Sequence, residues 1–247
     1  MNKRNNIQKR NSLPWTDADV ESHWDRVAHR YVAENNKVKQ THDQRFSFSI
    51  PQLDLYCNAR VLNISSRDGE ASALINQAEP SVQVINAEIS ANLMKVAASL
   101  NPDINQVKIS NYSHLPFEDE QFDRILTLET LEHVSDPLAF LKELHRVSIP
   151  DARMVLSCPP ATSEIPYRIY TALFGGHGEG PHKFPSASTV KKWLKETGWQ
   201  LILHKGTVLL PVGPAWMKSL GEKVLERFQG SIIAELGIRQ FYVCKKY

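Results

Sequence analysis

The sequence from Leu115 to Pro137 reads LPFEDEQFDRILTLETLEHVSDP, and this stretch decides the fold. Its middle part, residues 122–128, predicts a strand because apolar residues dominate a run of strand length. Pro137 begins a predicted helix that ends at Val147, since proline at a first helical turn removes an N–H that has no partner there. A predicted strand at 153–157 follows. The stretch therefore indicates a strand–helix–strand unit.

The same alternation of strands and helices extends to both sides of this unit. Predicted strands lie at Arg60–Ile64, Val82–Ala87, Val107–Ile109, Gln200–Leu210 and Gly237–Cys244, and predicted helices at Gly69–Ala78, Ala91–Leu100, Ser186–Thr197 and Trp216–Phe228. Such alternation is typical of a parallel sheet with helices on both faces.

The chain before the first strand has a different pattern. Residues 1–16 are polar and predict a disordered tail, followed by helices at Asp17–Asn36 and Asp43–Tyr56, with Pro51 as an interruption of the second. We expect 17–247 to form a single domain, with 17–57 as an N-terminal helical cap. The segments 159–185 and 211–230 are predicted to be substrate or lid insertions.

The composition excludes several classes of protein. The chain has 247 residues, 42% of them hydrophobic and 23% charged, which excludes disordered and fibrous proteins. Its net charge of +2 is too small to indicate a nucleic-acid partner. The three cysteines lack the spacing of a metal site or a disulfide framework, so we expect a cytoplasmic protein without metal. No apolar run reaches the ~18 residues of a membrane span, while peripheral membrane contact stays open.

Several motifs around the opening stretch carry a family resemblance. LPF and FD, at 115–117 and 122–123, lead into the predicted strand, LEH follows it at 131–133, and FLKELHRV occupies 140–147. With these motifs the chain resembles the class I S-adenosylmethionine-dependent methyltransferases of the ubiquinone/menaquinone-biosynthesis type. The resemblance implies an α/β fold that is Rossmann-like and doubly wound, with a mostly parallel seven-stranded sheet, an antiparallel last strand and helices on both faces. It also implies S-adenosylmethionine as the cofactor.

The loop after the first strand departs from the family pattern. There the family has an acidic residue and a Gly-x-Gly-x-Gly loop, because the backbone must turn tightly and lie close to the cofactor. This chain has Asn63 in place of the acid and Ser65 and Arg67 in place of the first two glycines. The third glycine is retained as Gly69. The Arg67 side chain would begin where the family places the methionine part of the cofactor. We expect it to turn outward, to pair with a carboxylate, or to block the pocket.

The other predicted cofactor contacts follow the next strands. The resemblance assigns the ribose hydroxyls to Glu88, whose carboxylate can accept two charge-assisted hydrogen bonds, although an ordinary acid at a helix start is the alternative. Asn111 stands where the family has an acid for the adenine amino group, and its amide oxygen can accept the same bond. Tyr112 is expected to pack on the adenine or to be a half-buried loop aromatic. Ile89 and Glu129 complete the predicted cofactor site.

Two histidines are candidates for a general base. His133 follows the fourth strand, at the edge of the sheet where open α/β folds bind ligands, although packing on the next helix is the alternative. His182 lies in the glycine-rich insertion and is expected to face the acceptor pocket. With His177 it forms too sparse a set to indicate a metal site. Trp24 and Tyr31 of the first helix are expected to cover the cofactor or to pack into the core.

These patterns favour an enzyme that methylates a small-molecule, sugar or lipid-linked acceptor. The alternative is a non-catalytic methyltransferase-like protein, a partner or regulatory subunit with weak or lost cofactor binding, which Asn63, Ser65 and Arg67 motivate. A third hypothesis is that the fold binds another ligand, with Arg67 holding an anionic group. No motif identifies the acceptor or the oligomeric state.

Overall fold

A seven-stranded sheet forms the centre of the protein in a computed structural model, which describes residues 14–174, 180–210, 214–229, 231 and 233–247. Most of the predicted tail and His177 of the glycine-rich insertion lie outside the described residues. The strands are β1 (Arg60–Ile64), β2 (Gln83–Glu88), β3 (Gln106–Lys108), β4 (Phe122–Leu128), β5 (Ser148–Cys158), β6 (Trp199–Thr207) and β7 (Arg239–Lys246).

The strand order is β3-β2-β1-β4-β5-β7-β6. Strands β1 to β5 pair in parallel, whereas β7 pairs antiparallel with both β5 and β6. The predicted doubly wound sheet with an antiparallel last strand is therefore confirmed. The strand order reverses between β1 and β4, and in open α/β sheets ligands bind outside the carboxyl ends of the strands at such a switch point.

Eight α-helices cover the sheet within the described part of the chain. They are α1 (Asp17–Lys37), α2 (Lys39–Gln52), α3 (Glu70–Ala78), α4 (Ala91–Leu100), α5 (Pro137–Val147), α6 (Glu164–Phe174), α7 (Ala187–Glu196) and α8 (Ala215–Arg227). None of these described helices combines the length and the apolarity that crossing a membrane requires.

The largest differences from the predicted bounds concern two elements. Helix α2 begins at Lys39 rather than Asp43, and Pro51 stands in its last turn, where the helix ends one residue later. Strand β5 begins at Ser148 rather than Arg153, and Asp151 within it adopts a left-handed φ of 67°.

Apolar side chains pack on both faces of the sheet. Alternate residues of β1 point to opposite faces, so Leu62 joins one buried cluster and Val61 the other. The first cluster includes side chains of α1, α4, α5 and α7, and the second includes side chains of α2 and α3. The carboxyl ends of β1, β2 and β4 meet below helix α1, and the candidate site lies there.

Candidate cofactor and acceptor site

The loop between β1 and α3, residues 65–69, keeps the backbone of a glycine-rich loop with a single glycine. The φ angle is 57° at Ser65, 54° at Arg67 and 77° at Gly69. Residues with a side chain pay roughly 1–2 kcal/mol each for this left-handed conformation. A Cβ at Gly69 would also lie 2.3 Å from Ile104 Cδ1, so the end of that side chain would have to shift. The loop geometry thus survives the loss of two glycines, but with backbone strain.

The carboxylate of Glu88, at the end of β2, holds this loop in place. Its Oε2 accepts the backbone N–H of Arg67 at 2.8 Å. Its Oε1 accepts the backbone N–H groups of Ile89 at 2.8 Å and Ser90 at 2.9 Å. Glu88 has no exposed surface, and both of its carboxylate oxygens accept hydrogen bonds from backbone N–H groups. The predicted residue Ile89 contributes through its N–H group.

The Arg67 side chain turns inward at the carboxyl ends of β1 and β2. Its Cζ lies 3.8 Å from the centroid of the Trp24 ring, a cation–π contact, and its Nη1 lies 3.6 Å from Glu88 Oε1. Burial alone would lower the pKa of Arg67, but Glu88 and other nearby acidic groups together outweigh burial, and the pKa is raised. Arg67 therefore stays charged while it is only 6% exposed.

Tyr112 fills the crevice beside Arg67 and is fully buried. Its hydroxyl lies 3.1 Å from Ser65 Oγ, and its ring meets the Phe140 ring edge-on at 5.6 Å. Burial raises the pKa of Tyr112, so the hydroxyl stays protonated. Its neighbour Asn111 has a buried Oδ1 without a hydrogen-bond partner among the described residues. The Oδ1 of Asn111 is therefore a hydrogen-bond acceptor to which no described residue donates.

Asn63 is engaged in a polar cluster within the sheet. Its Nδ2 donates to Asn86 Oδ1 at 2.8 Å, and Ser72 Oγ of α3 donates to the same oxygen. Asn86 in turn donates to the carbonyl of Asn105 at 3.1 Å. The amide at the end of β1 therefore joins β1, β2 and α3, and its hydrogen bonds connect it to none of the other predicted cofactor residues.

Glu129, which follows β4, lies between two arginines. Arg45 Nη1 of α2 lies 3.4 Å from its Oε2, and Arg239 Nε of β7 donates to its Oε1. Burial alone would raise the pKa of Glu129, but the two cations lower it to about 2. The structure thus places Glu129 in an ion cluster that ties the second cap helix to the sheet, separate from the Glu88 cluster.

A second ion cluster lies at the start of α2. Among the described residues, His42, Asp43 and Glu70 have possible metal-ligand atoms within 4.8 Å of one another. Lys39 Nζ lies 2.9 Å from Asp43, and Arg45 Nη2 donates to His42 Nε2, which leaves the proton on Nδ1. Burial, and then Arg45, lowers the pKa of His42 to about 4. Lys39 thus pairs with Asp43, whereas burial raises the pKa of Glu70.

His133 is buried beneath α1. Its Nδ1 lies 3.0 Å from the carbonyl of Pro181, and its ring meets the Trp24 ring edge-on at 5.6 Å. Burial, and then the Arg67 cation, lowers the pKa of His133 to about 3. The ring is therefore neutral, but with 1% exposure it cannot meet an acceptor in this conformation.

His182 is less deeply buried than His133 as a residue, although its Nε2 atom is buried. Its Nδ1 lies 2.9 Å from the carbonyl of Gly180 and donates to it, which leaves Nε2 unprotonated in the neutral ring. Nε2 lies 3.7 Å from Glu164 Oε1, too far for a hydrogen bond. The rings of Tyr167 and Phe184 lie 5.7 Å and 4.8 Å from the His182 ring. The insertion thus places a histidine inside an aromatic group.

Two aspartates that fasten α1 over the crevice were not predicted from the sequence. Asp17 accepts the backbone N–H groups of Tyr112 at 2.8 Å and Ser135 at 3.1 Å. Asp25 accepts the hydroxyl of Ser90 at 2.6 Å. These partners lie 65 or more positions away in the chain, so no local spacing indicates them. A carboxylate beside Trp24 on the apolar side of α1 was the one available signal.

Comparisons with known proteins agree with this architecture. The family model described as "Methyltransferase domain" matches residues 62–156. A demethylmenaquinone methyltransferase of Beutenbergia cavernae is 27% identical over 198 residues, which cover 76% of this chain and 81% of the relative. A ubiquinone/menaquinone biosynthesis C-methyltransferase of Desulfotalea psychrophila is 28% identical over 59% of this chain and 61% of its own length. A methyltransferase structure from Thermotoga maritima superposes with a TM-score of 0.67 at 16% identity, over 92% of this chain and 99% of that one.

Residues 62–156 are assigned to a methyltransferase domain, and the chain as a whole resembles the class I methyltransferases of the ubiquinone/menaquinone-biosynthesis type. This assignment implies S-adenosylmethionine as the cofactor of the methyltransferase domain. The conformation described here does not fit that cofactor. A ligand that reached Glu88 would have to displace Arg67, Tyr112 or Trp24, which are 6%, 1% and 3% exposed. Withdrawal of the Arg67 side chain would uncover the Glu88 carboxylate, whose oxygens would still accept the three backbone N–H groups.

Proposed function

We propose that this methyltransferase domain acts on a small-molecule or lipid-linked acceptor, a class that includes sugar-bearing molecules. The observation that carries the proposal is the aromatic group around His182. Tyr167, His182 and Phe184 lie within 5.8 Å of one another by ring centroids and belong to the insertion that follows β5. Apolar walls with a few polar groups are typical of sites for small organic ligands.

His182 is the proposed general base. With Nδ1–H held by the Gly180 carbonyl, Nε2 can take the proton of an acceptor hydroxyl or of another weakly acidic group. The aromatic rings beside it would hold the apolar body of the acceptor and exclude water. Proton transfer to a positioned histidine typically contributes about 10²–10⁴-fold to a rate.

The relatives support a lipid-linked acceptor within this class, since they are named for demethylmenaquinone, menaquinone and ubiquinone biosynthesis. Exposed apolar side chains on α6 and α8, Ile165, Ile169, Trp216 and Leu220, accord with contact to a membrane surface that carries such an acceptor. The free cysteines Cys57, Cys158 and Cys244 accord with a reducing compartment such as the cytoplasm.

The test is transfer of a labelled methyl group from S-adenosylmethionine to demethylmenaquinone, in its reduced form, in detergent micelles. We expect His182→Ala to lower kcat at least 100-fold. His29→Ala, on the exposed side of α1, is the matched control and should keep the wild-type rate. Equal rates for wild type and His182→Ala would reject His182 as the base. Absence of labelled product with every acceptor of the class would reject the proposed acceptor.

A second candidate function is that of a non-catalytic methyltransferase-like partner or regulatory subunit. Burial of Arg67 and Tyr112 in the crevice, with both oxygens of Glu88 engaged, is the observation that favours it. A folded protein that binds neither S-adenosylmethionine nor its demethylated product, S-adenosylhomocysteine, would support this function and contradict methyl transfer.

A further inference from the structure

Arg67 makes inside the crevice the kinds of contact that a bound cation would make. Its planar guanidinium lies over the Trp24 face at 3.8 Å and beside the Glu88 carboxylate at 3.6 Å. An aromatic face and a carboxylate together form a favourable site for an organic cation. The resemblance assigns the ribose hydroxyls of the cofactor to Glu88, so the Arg67 guanidinium occupies space beside a carboxylate that the cofactor would need.

The closed conformation nevertheless contains uncompensated costs. Arg67 Nη1 is buried without a hydrogen-bond partner among the described residues, and an unsatisfied buried donor costs about 1–3 kcal/mol. Ser65 and Arg67 both adopt left-handed backbone conformations, which add to this cost. A conformation with such costs can be displaced by a ligand that satisfies Glu88 and Trp24 better.

We propose that Arg67 is an internal latch that closes the cofactor crevice, and that ligand binding requires its withdrawal together with movement of α1. The proposal rests on the methyl-transfer function proposed above and concerns the control of that same site. Trp24 belongs to α1, so the guanidinium joins the cap helix to the carboxyl end of β2 through one side chain. Glu88 becomes available to a ligand only when this junction opens.

The two altered glycine positions of the loop provide a matched pair of variants. Arg67→Gly restores a family glycine and removes the latch. Ser65→Gly restores a glycine in the same loop, two residues away, and leaves the Arg67 side chain intact. Circular dichroism and urea unfolding of the full chain establish that each variant is folded. Calorimetric titration with S-adenosylhomocysteine then measures binding without any need for turnover.

A latch predicts that Arg67→Gly binds at least tenfold more tightly than wild type, because the apparent affinity of wild type is reduced by its small open population. Ser65→Gly should tighten binding less than Arg67→Gly does, because it leaves the Arg67 side chain in the crevice. Adding Glu88→Gln to Arg67→Gly should weaken binding again. Hydrogen exchange should also be faster in α1 of Arg67→Gly than in α1 of wild type.

The outcomes separate the latch from the function on which it rests. If wild type and Arg67→Gly bind with equal affinity, the latch is rejected while methyl transfer stands. If both glycine variants tighten binding equally, loop strain rather than the Arg67 side chain controls the site, and the latch is again rejected. If no folded variant binds, Arg67→Gly included, both the latch and the methyl-transfer function are rejected.

Discussion

At the scale of single residues, the loop at 65–69 keeps the left-handed backbone conformation of a glycine-rich loop although most of its glycines are replaced. Three left-handed φ angles persist where only Gly69 is a glycine. Hydrogen bonds to neighbouring residues hold the left-handed backbone conformation at the two positions that lack glycine. The N–H of Arg67 is held by Glu88, and Ser65 Oγ lies 3.1 Å from the Tyr112 hydroxyl. Strain at these two positions is therefore measurable.

Substitution of Ser65 separates strain from hydrogen bonding. Ser65→Ala and Ser65→Gly both lose the contact with Tyr112, but only glycine relieves the left-handed conformation. We expect Ser65→Gly to be more stable than Ser65→Ala by about 1 kcal/mol in urea unfolding. Equal free energies of unfolding for the two variants would mean that the loop is not strained at Ser65.

At the scale of elements, α1 is the helix that decides access to the site. Asp17 and Asp25 fasten it to the loops after β2, β3 and β4, while Trp24 faces both Arg67 and His133. Polar fastenings of this kind can open locally while the rest of the fold stays intact. The mobility of α1 should therefore depend on individual carboxylates.

Asp25→Ala should loosen α1 without unfolding the domain. The carboxylate accepts bonds from Ser90 Oγ and from the N–H of Asn92, and hydrogen bonds to charged groups contribute about 1.5–3 kcal/mol each. We expect amide protection in α1 to fall at least tenfold by hydrogen exchange, with the sheet unchanged. Arg26→Ala, at the next and exposed position, is the control. Unchanged protection in Asp25→Ala would contradict this role.

The elements themselves were largely predictable, because strand and helix periodicity depend on local sequence. The departures came from particular residues. Asp151 lies within β5 although its φ is left-handed, a conformation that is typical of turns rather than of strands. The site was less predictable: Asn63 stays a predicted cofactor contact, but its hydrogen bond to Asn86 on the next strand was not foreseen. Such pairings depend on register between distant segments, which local spacing does not encode.

At the scale of the whole molecule, buried histidines make stability depend on pH. Burial is the chief cause that lowers the pKa of His133 to about 3 and the pKa values of His42 and His204 to about 4. In the unfolded chain a histidine titrates near pH 6.5. Below that pH the unfolded chain binds protons that the folded chain does not, so the stabilisation is complete above about pH 6.5 and is lost as the pH falls toward 4.

Urea unfolding at pH 7.5, 6 and 5 checks this dependence. We expect the free energy of unfolding to decrease steadily over this series. His204→Gln should show a shallower decrease, because one group that titrates only in the unfolded chain is removed. A free energy of unfolding that does not change between pH 7.5 and pH 5 would contradict the burial of these rings.

The close approach of Gly180 to α1 has a consequence for the order of events at the site. A Cβ at Gly180 would lie 2.4 Å from the His23 ring, and the carbonyl of Pro181 holds His133 beneath Trp24. Movement of α1 therefore disturbs the segment that carries His182. By thermodynamic linkage, if one ligand changes the affinity of the second by some factor, the second changes the affinity of the first by the same factor. Cofactor and acceptor should thus bind as cooperative partners, each altering the dissociation constant of the other by the same ratio.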